Sequence, residues 1–219
     1  MLNTEDLEEL RAILRAAAVA DAVDETGNRT HSLPADVRAL VPGPGTMIGY
    51  AFPVSTERVD AIPDDHYVGL LASLDALQAN DVYVISANGR TDVALWGELL
   101  STSCQAKGVA GVVCDGYVRD LVQVEKLSFP CFARGTVPYD INGRLEVVDH
   151  SAPVVIGDVI IGRGDLVVGD ADGVVVVPQD LIDEVLAKAR EKAAVEIEFV
   201  EALAAGMKIS EAFAKYHIL

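Results

Sequence analysis

The stretch from Gly108 to Asp120 constrains the fold of this chain more than any other. Its apolar run, Val109 to Cys114, has the length and β-branched content of a strand that is buried on both faces. An Asp115-Gly116 turn ends the run, and the charged pair Arg119-Asp120 follows at once. Such a strand needs a covering layer on each side, so the stretch predicts an α/β fold.

Two interpretations of the charged pair fit this position. In open α/β folds ligands bind beyond the carboxyl ends of the strands, so Arg119 beside Asp120 could bind a small anion, or an anion together with a metal ion. In the structural alternative, Arg119 pairs with a neighbouring carboxylate and Asp120 caps the next helix, Leu121 to Leu127. The stretch by itself leaves both open.

The first half of the chain predicts helices that alternate with strands. Apolar residues at helical spacing from Leu7 to Ala18, after the possible cap Thr4, predict an amphipathic helix that stops before Gly27. The other predicted elements are a strand over Met47–Val54, a helix that opens at Pro63-Asp64 with Tyr67, Leu70, Leu71, Leu74 and Leu77 on one face, a strand over Val82–Ile85, and a helix over Val93–Lys107 closed by Gly108. This order predicts parallel pairing through crossover helices.

Past Pro130 the pattern changes to short β-rich runs between Gly and Asp turns, which is typical of antiparallel hairpins. The runs are Leu145–Val148, Val154–Ile161, Leu166–Val168 and Val174–Val177, followed by a long helix over Gln179–Ala205 and a short one over Ile209–Tyr216. No glycine- or serine-rich linker separates the two halves. We therefore expect a single domain over residues 1–219 with two sheet layers.

Charge and cysteine content narrow the class of protein. A formal charge of −17 and a pI near 4.4 oppose binding to nucleic acid or to an anionic membrane, whereas a basic protein segment would be attracted. The three cysteines lack CxxC spacing, which favours a reducing compartment. The first residues lack the basic start and apolar run of a signal peptide, so we expect a cytoplasmic protein.

A second candidate site lies at Trp96-Gly97-Glu98-Leu99-Leu100. If a helix begins near Gly97, the free backbone N–H groups of Leu99 and Leu100 lie in its first turn and can bind a carboxylate. Glu98 lies at the same place and is a candidate acid. Its structural alternative is simple, because an acidic side chain favours a helix start in any case.

Other common chemistries lack support in the sequence. The histidines are dispersed without metal-ligand spacing, and GxSxG, P-loop and GxGxxG motifs are absent. Asp170-Ala-Asp-Gly173 is better explained as a hairpin turn than as a calcium loop. No lysine falls in an apolar strand where burial would prepare it for a Schiff base. Carbonyl chemistry would therefore need a metal ion as electrophile.

Several segments in order resemble one family, the metal-dependent aldolases acting on 4-hydroxy-4-methyl-2-oxoglutarate and 4-carboxy-4-hydroxy-2-oxoadipate, together with the related RraA-like regulators of ribonuclease E activity. The segments are Ala18-Val-Ala-Asp-Ala22, Val41-Pro-Gly43, Gly49-Tyr-Ala51, Gly97-Glu-Leu-Leu100, Gly111-Val-Val-Cys-Asp-Gly-Tyr-Val-Arg-Asp120 and Gly164-Asp-Leu-Val-Val-Gly-Asp-Ala-Asp-Gly-Val-Val-Val-Val-Pro178. They cover nearly the whole chain.

The resemblance implies a fold and an assembly. It implies a β/β/α swivelling-type, three-layer α/β fold, in which we expect a central parallel sheet, an antiparallel second sheet and a long C-terminal helix. It also implies self-association as a homotrimer or homohexamer, with the active site at a subunit interface. Glu98 stands 21 positions before Arg119, where the family usually has Asp. The extra methylene moves the carboxylate by about 1.5 Å.

Residue roles follow from the same resemblance. Asp120 would bind Mg²⁺ or Mn²⁺ directly, and Glu98 would hold a water molecule on that metal ion. Arg119 would bind the pyruvyl oxygen, while Gly97 and the N–H groups of Leu99 and Leu100 form the substrate-carboxylate site. Glu196 matches an acid that the adjacent subunit contributes. Its alternative is an ordinary exposed helix glutamate.

The resulting hypothesis is a class II type aldolase that cleaves a 4-hydroxy-2-oxo acid to pyruvate, with oxaloacetate decarboxylation as a side activity. Both reactions pass through the same pyruvate enolate, so one site can serve both. The alternative is a non-catalytic RraA-like regulator that binds a basic segment of a protein partner such as a ribonuclease. The acidic surface motivates this alternative, and the retained Glu98 favours the enzyme.

Overall fold

The computed structural model describes residues 2–90 and 92–218. Its helices are α1 (Thr4–Ile13), α2 (Ala16–Asp24), α3 (Val68–Asp75), α4 (Glu98–Ala106), α5 (Leu121–Leu127), α6 (Ile182–Ala204) and α7 (Ile209–Tyr216), with a 3-10 turn at Gln179–Leu181. Its strands are β1 (Arg38–Val41), β2 (Met47–Arg58), β3 (Asp81–Ile85), β4 (Ala94–Trp96), β5 (Gly111–Cys114), β6 (Tyr117–Val118), β7 (Cys131–Ala133), β8 (Gly135–Thr136), β9 (Leu145–Asp149), β10 (Val154–Ile156), β11 (Val159–Ile161), β12 (Leu166–Asp170) and β13 (Gly173–Val177).

Eight strands form the main sheet, in the order β1-β7-β5-β3-β2-β12-β13, with β9 paired to the last residues of β2. The central strands β2, β3, β5 and β7 run parallel. Strands β1, β9, β12 and β13 pair antiparallel around them. The main sheet is therefore mixed, with its parallel part in the middle.

Alternate residues of the main sheet face two different layers, because successive side chains of a strand point to opposite faces. On one face of β2, Phe52 packs in a cluster with α3, α4 and α5, and Ile48 packs in a cluster with α1, α2 and α6. On the other face, Met47 and Ala51 pack in a cluster with the β10–β11 hairpin. Burial of a large apolar side chain such as Phe52, Ile48 or Met47 contributes about 1.5–3 kcal/mol relative to exposure.

A second, three-stranded sheet consists of β4, β6 and β8, and both of its strand pairs are parallel. Ala94 pairs with Tyr117 and Trp96 with Val118. Because the strands are parallel, their carboxyl ends lie at one edge of this small sheet. Gly97 and Arg119 are the first residues beyond that edge.

The predicted α/β architecture is confirmed, with parallel strands in the main sheet, a second sheet and a long C-terminal helix. The antiparallel strands of the second half are distributed differently from the expectation. β12 and β13 extend the main sheet and β9 pairs with β2, so only β10 and β11 form a separate antiparallel pair. The hairpin turn expected at Asp170–Gly173 is present, since these two residues pair at the end of β12 and β13.

The prediction of one continuous N-terminal helix is wrong at Leu14-Arg15, where the backbone is extended between α1 and α2. Tertiary hydrogen bonds replace the helical ones at this break. The Thr46 hydroxyl donates to the Leu14 carbonyl oxygen at 2.8 Å, and the Ala16 N–H donates to the Asp170 carboxylate at 2.8 Å. The helix therefore breaks where the rest of the chain supplies better partners.

The prediction of Thr4 as the first helix cap is also wrong, by one residue. The Asn3 side chain accepts a hydrogen bond from the Asp6 N–H at 2.9 Å, and the Asp6 carboxylate accepts one from the Asn3 N–H at 3.2 Å. This reciprocal pair is a capping box, and Thr4 is the first helical residue.

Helix α3 begins at Val68 rather than at Pro63, which corrects the predicted start. Tyr67 precedes it in the left-handed conformation, with φ 67°. Leu70 and Leu74 are buried as the predicted face requires, but Leu71 is 56% exposed. The buried face of α3 therefore includes fewer of the apolar residues than the sequence pattern predicts.

The predicted helix over Val93–Lys107 is wrong in its first part. Ala94–Trp96 form strand β4, and the helix begins only at Glu98. Pairing of β4 with β6 supplies the backbone hydrogen bonds of this segment, which overrides its local helical pattern. Gly108 follows the helix with φ 74°, the left-handed conformation expected of it.

The three cysteines are free and buried. Burial raises the pKa of the Cys104 and Cys131 thiols to about 12, and it also raises the pKa of Cys114. The thiols therefore stay protonated and carry no nucleophilic chemistry near neutral pH. None of the helices within residues 2–90 and 92–218 is both long and apolar enough to cross a bilayer.

Gly69 offers a stability test of the packing between α3 and β9. A Cβ at this position would lie 1.9 Å from the Val147 carbonyl oxygen, so Gly69→Ala must push α3 away from β9. We expect the free energy of unfolding to fall by about 1–3 kcal/mol, measured by urea denaturation. Gly45→Ala is the matched control, because its Cβ would meet only the Arg11 carbonyl oxygen, at 3.5 Å. Equal unfolding midpoints for the two variants would contradict this packing.

Candidate active site

Three chain segments meet at the carboxyl-terminal edge of the small parallel sheet. β4 leads through Gly97 into α4, and β6 leads through Arg119-Asp120 into α5. The Arg119 N–H donates to the Trp96 carbonyl oxygen at 2.9 Å, which holds these two segments side by side. The third segment is Tyr139-Asp140. It lies beside β4, where the Ala94 N–H donates to the Tyr139 carbonyl oxygen at 2.8 Å, and it brings Asp140 beside Arg119.

Trp96 anchors the start of α4. Its side chain is buried and stacks on Phe129, with ring centroids 6.2 Å apart. The indole N–H donates to the Ser101 hydroxyl at 2.7 Å, and that hydroxyl donates to the Gly97 carbonyl oxygen at 2.9 Å. The position of Gly97 is therefore fixed by the buried Trp96 side chain and its hydrogen bond to Ser101.

Gly97 lies against the two charged residues of the candidate site. A Cβ here would lie 2.7 Å from the Asp120 Oδ2 atom and 3.2 Å from the Arg119 Cγ atom. Any other residue would therefore displace the Asp120 carboxylate or the Arg119 side chain. This close approach explains why glycine occupies a candidate substrate-binding position.

Arg119 lies between two carboxylates. Its Nε atom is 3.7 Å from Asp120 Oδ2, and its Nη2 atom is 3.8 Å from Asp140 Oδ1. These distances exceed the 2.7–3.2 Å of a formed N–H···O hydrogen bond. The guanidinium is thus held by charge on both sides while its N–H donors remain available to a ligand.

The structural alternative for Asp120, a side-chain cap of α5, is not observed. Asp120 precedes α5 in the left-handed conformation, with φ 56°, and its side chain makes no capping hydrogen bond. Its carboxylate is 42% exposed, and its Oδ2 atom lies 3.5 Å from the Glu98 backbone nitrogen. An unfavourable backbone conformation thus presents the carboxylate to the start of α4.

Helix α4 begins at Glu98, as the carboxylate-binding hypothesis requires. Within the described parts of the chain, the N–H groups of Leu99 and Leu100 donate to no acceptor, and Gly97 supplies no side-chain cap. Both leucines line the same cavity as Arg119 and Asp120. The start of the helix can therefore accept an anionic group of a ligand.

Tyr67 and Asp140 also belong to this site, and the sequence reasoning missed both. The Tyr67 hydroxyl donates a hydrogen bond to Asp140, the second carboxylate beside Arg119. Burial, reinforced by Asp140, raises the pKa of Tyr67 to about 12, so the phenol stays protonated. The sequence pattern placed Tyr67 on an apolar helix face and passed over Asp140, which lies between a proline and a strand. The left-handed backbone of Tyr67 sets this residue apart, but only the structure shows it, so no signal in the sequence pointed to Tyr67.

The two remaining predicted acids lie outside the cavity lining. Glu98 is exposed, and its backbone N–H rather than its carboxylate approaches Asp120. Glu196 is half-buried on α6, a helix that packs in the cluster with α1 and α2. Within one subunit the structure therefore brings together Gly97, Leu99, Leu100, Arg119 and Asp120, but not Glu196.

A cavity of about 250 Å³ opens beside these residues. Its lining consists of Tyr67, Leu70, Leu71, Ala94, Leu95, Trp96, Gly97, Leu99, Leu100, Arg119, Asp120, Asp140 and Ile141. No lysine is among them, in agreement with the argument against a Schiff base. Histidine and cysteine are also absent from this described lining, so oxygen atoms are the available metal ligands.

The oxygen donors at this edge fit a hard divalent cation. No group of three or more His, Cys, Asp and Glu side chains that could enclose a metal ion occurs among the described residues. Mg²⁺ commonly binds through one or two carboxylates and keeps several water ligands, so it does not need such a group. Gly97 has no side chain, so the space beside the Asp120 Oδ2 atom stays open. Glu98 is the residue that follows Gly97 in the sequence.

Comparisons with known proteins identify the family of this chain. Residues 16–176 match the model of the RraA-like family, described as Aldolase/RraA. A relative from Halalkalibacterium halodurans, named "Putative 4-hydroxy-4-methyl-2-oxoglutarate aldolase", is 33% identical over 177 residues, which cover 80% of this chain and 78% of that protein.

Two solved structures extend the similarity over almost the whole chain. An uncharacterised protein from Pseudomonas syringae pv. tomato has a TM-score of 0.84 at 31% identity, covering 96% of this chain and 98% of its own. Streptomyces coelicolor RraAS2, described as an unusual member of the RNase ES inhibitor RraA protein family, has a TM-score of 0.75 at 29% identity, covering 94% and 98%. The chain therefore belongs to the RraA-like family.

Proposed function

We propose that this protein is a divalent-metal-dependent aldolase that cleaves a 4-hydroxy-2-oxo acid to pyruvate and also decarboxylates oxaloacetate. The observation that carries the proposal is the position of Arg119, between Asp120 and Asp140 and at the same cavity as the free N–H groups of α4. The relative from Halalkalibacterium halodurans, named for an aldolase, supports the same activity.

The protein groups at the cavity match the parts of a 2-oxo acid. The substrate carboxylate accepts hydrogen bonds from the N–H groups of Leu99 and Leu100, where the helix start favours negative charge. The Arg119 guanidinium donates to the oxygen at C2. As the reaction proceeds this oxygen gains negative charge, so its hydrogen bond with Arg119 strengthens in the transition state.

Mg²⁺ or Mn²⁺ would be held by Asp120 directly and by Glu98 through a water molecule. The chemistry that such a cation supplies when bound is polarisation of the 2-oxo group and a lower pKa for a neighbouring water. Because Glu98 is exposed and does not line the cavity, its contact with the cation would have to pass through a water molecule. Asp120 remains the main protein ligand of this proposal.

The proposed cleavage balances without an oxidant or a reductant. The C4 hydroxyl gives its proton to a deprotonated water at the site, the C3–C4 bond breaks, and C4 becomes the carbonyl carbon of the second product. The electron pair of the broken bond forms the enolate of pyruvate, which Arg119 stabilises at the C2 oxygen. Protonation at C3 then gives pyruvate. With oxaloacetate, CO₂ leaves from C3 and the same enolate results.

We further propose that the site is completed between subunits of a trimer or hexamer. Glu196 is separate from the cavity of its own subunit, and the neighbouring side chains Ile197 and Val200 are exposed apolar groups on the same helix. Leu99 is an exposed apolar side chain at the rim of the cavity. Contact between these two surfaces would bury both and bring Glu196 of one subunit to the cavity of the next.

A second function, that of a non-catalytic regulator, is supported by the charge and by the structural neighbour RraAS2. The chain has 34 acidic against 17 basic residues, which suits a basic segment of a protein partner such as a ribonuclease. The available donors of Arg119 and of the α4 start favour the enzyme, because a surface for a basic partner has no use for an anion site.

Purified protein with Mg²⁺ or Mn²⁺ should release pyruvate from 4-hydroxy-2-oxo acids and from oxaloacetate, and EDTA should abolish this release. Arg119→Ala should lower kcat/KM by about 10²–10³-fold, because it removes a donor to the developing oxyanion. Arg119→Lys should recover only part of the loss, since lysine lacks the guanidinium fork. Arg58→Ala removes the same charge from an exposed strand end and should leave kcat/KM unchanged. A lack of turnover across the substrate panel would refute the proposal.

Mixed oligomers test the subunit contribution of Glu196. Arg119→Ala and Glu196→Ala subunits, each inactive alone, should recover activity when they are unfolded and refolded together. Recovery is expected because an Arg119 and a Glu196 from different chains can then meet at one site. Refolding the double variant with wild-type subunits at the same ratio gives the control for simple dilution. If mixing the single variants yields no more activity than either alone, Glu196 acts within its own subunit or not at all.

The regulator alternative predicts capture of a ribonuclease carrying a basic segment on the immobilised protein. Because the attraction would rest on surface charge, retention should fall steeply between low and high salt. Arg119→Ala should not affect it, whereas the enzyme activity should depend on Arg119. Salt-insensitive capture, or none, would speak against a partner held by the acidic surface.

A further inference from the structure

The part of the cavity beyond Arg119 and Asp120 has an almost entirely apolar wall. Its side chains are those of Leu70, Leu71, Leu95, Leu99, Leu100 and Ile141. The groups that handle a 2-oxo acid account for the polar edge of the cavity, and nothing in the proposed cleavage uses this wall. It is therefore free to bind the part of the substrate that differs from pyruvate.

The charges around the cavity oppose a second anionic group. Among the described lining residues Arg119 is the only cation, and it already faces the carboxylates of Asp120 and Asp140. A divalent cation on Asp120 would be committed to the 2-oxo acid end. A further substrate carboxylate against the leucine wall would thus be desolvated without a partner, which is costly.

Arg144, which contacts the backbone of Asp140, is engaged elsewhere. Arg144 donates to the Asp140 carbonyl oxygen at 3.0 Å, and its guanidinium lies over the Tyr139 ring, 5.3 Å from the centroid. It does not line the cavity. Arg144 therefore does not offer its charge to a ligand in this arrangement.

Tyr67 sets the polarity at the border between the two parts of the cavity. Because its hydroxyl donates to Asp140, the oxygen faces a ligand only as a hydrogen-bond acceptor. An acceptor suits the hydroxyl of a substrate and repels a carboxylate. The raised pKa of Tyr67 agrees with this role, since the phenol keeps its proton over the whole neutral range.

We infer that the preferred substrate is a monocarboxylic 4-hydroxy-2-oxo acid whose C4 substituent is an uncharged aliphatic chain bound by the leucine wall. This inference rests on the proposed aldolase function and specifies its substrate class. The second product is accordingly an aliphatic aldehyde or ketone rather than an oxo acid. Leu71 at the cavity mouth is a specificity-determining residue.

A pair of substrates of equal length tests the inference. 4-Hydroxy-2-oxohexanoate ends in a methyl group and yields pyruvate and propanal, whereas 4-hydroxy-2-oxohexanedioate ends in a carboxylate and yields pyruvate and malonic semialdehyde. With pyruvate release followed in both cases, kcat/KM for the hexanoate should exceed that for the hexanedioate by about tenfold or more.

Leu71→Lys should shift this ratio by about tenfold toward the hexanedioate, because the new ammonium would pair with its terminal carboxylate. Leu71 is 56% exposed, so the folded state tolerates lysine there. Val68→Lys is the matched control, since Val68 lies on the same helix, is 59% exposed and does not line this cavity. Its ratio should stay within about twofold of wild type. Equal shifts in the two variants would overturn the role of Leu71.

Exchange of the pyruvate methyl protons in D₂O separates failure of the inference from failure of the proposed function. Pyruvate lacks a C4 substituent, so its exchange reports enolate formation alone. If the pyruvate protons exchange but the protein prefers the hexanedioate, or does not turn over the hexanoate, the proposed substrate class is wrong. The metal-dependent enolate chemistry then still stands. Neither exchange nor turnover of either substrate overturns both.

Discussion

The site depends on the parallel pairing of β4 with β6. Beyond the paired residues, the Arg119 N–H donates a hydrogen bond to the Trp96 carbonyl oxygen at 2.9 Å. This bond holds Trp96, the last residue of β4, beside Arg119, the first residue after β6. Two helices then begin at neighbouring points of one edge. Without this pairing the free N–H groups of α4 and the Arg119-Asp120 pair would lie on separate loops.

Charge and close packing act together at this edge. Arg119 is positioned by two carboxylates at distances too long for full hydrogen bonds, so it is oriented without being saturated. The absence of a side chain at Gly97 leaves the space in which the Asp120 carboxylate lies. The buried Trp96 ring fixes Gly97 through the hydrogen bonds that run by way of the Ser101 hydroxyl. The leucine wall beside this polar edge gives the cavity two chemically distinct parts. A small polar molecule with an apolar extension fits such a division.

Much of the fold could be predicted from the sequence because its signals are local. The β-branched run at Val109–Cys114 became the buried strand β5, and the helical pattern after Gln179 became α6. The misses occur where tertiary partners compete with local preference. Asp170 and Thr46 break the N-terminal helix, and β6 recruits Ala94–Trp96 into a strand despite their helical spacing. Very short strands such as β6 and β8 carry too few residues for any periodicity to be seen.

The sequence by itself determined the α/β class, the family and the nearness of Glu98, Leu99 and Leu100 to one another, because these follow from local pattern and motif order. Only the tertiary structure decided that Arg119 lies between Asp120 and Asp140, that Tyr67 binds Asp140, and that Glu196 stands apart from the cavity of its own subunit. The physical reason is that an ion pair or a side-chain hydrogen bond between remote segments depends on how strands and helices pack. Hydrophobic periodicity specifies which face of an element is buried, but it does not specify which polar side chains of other elements meet at its end.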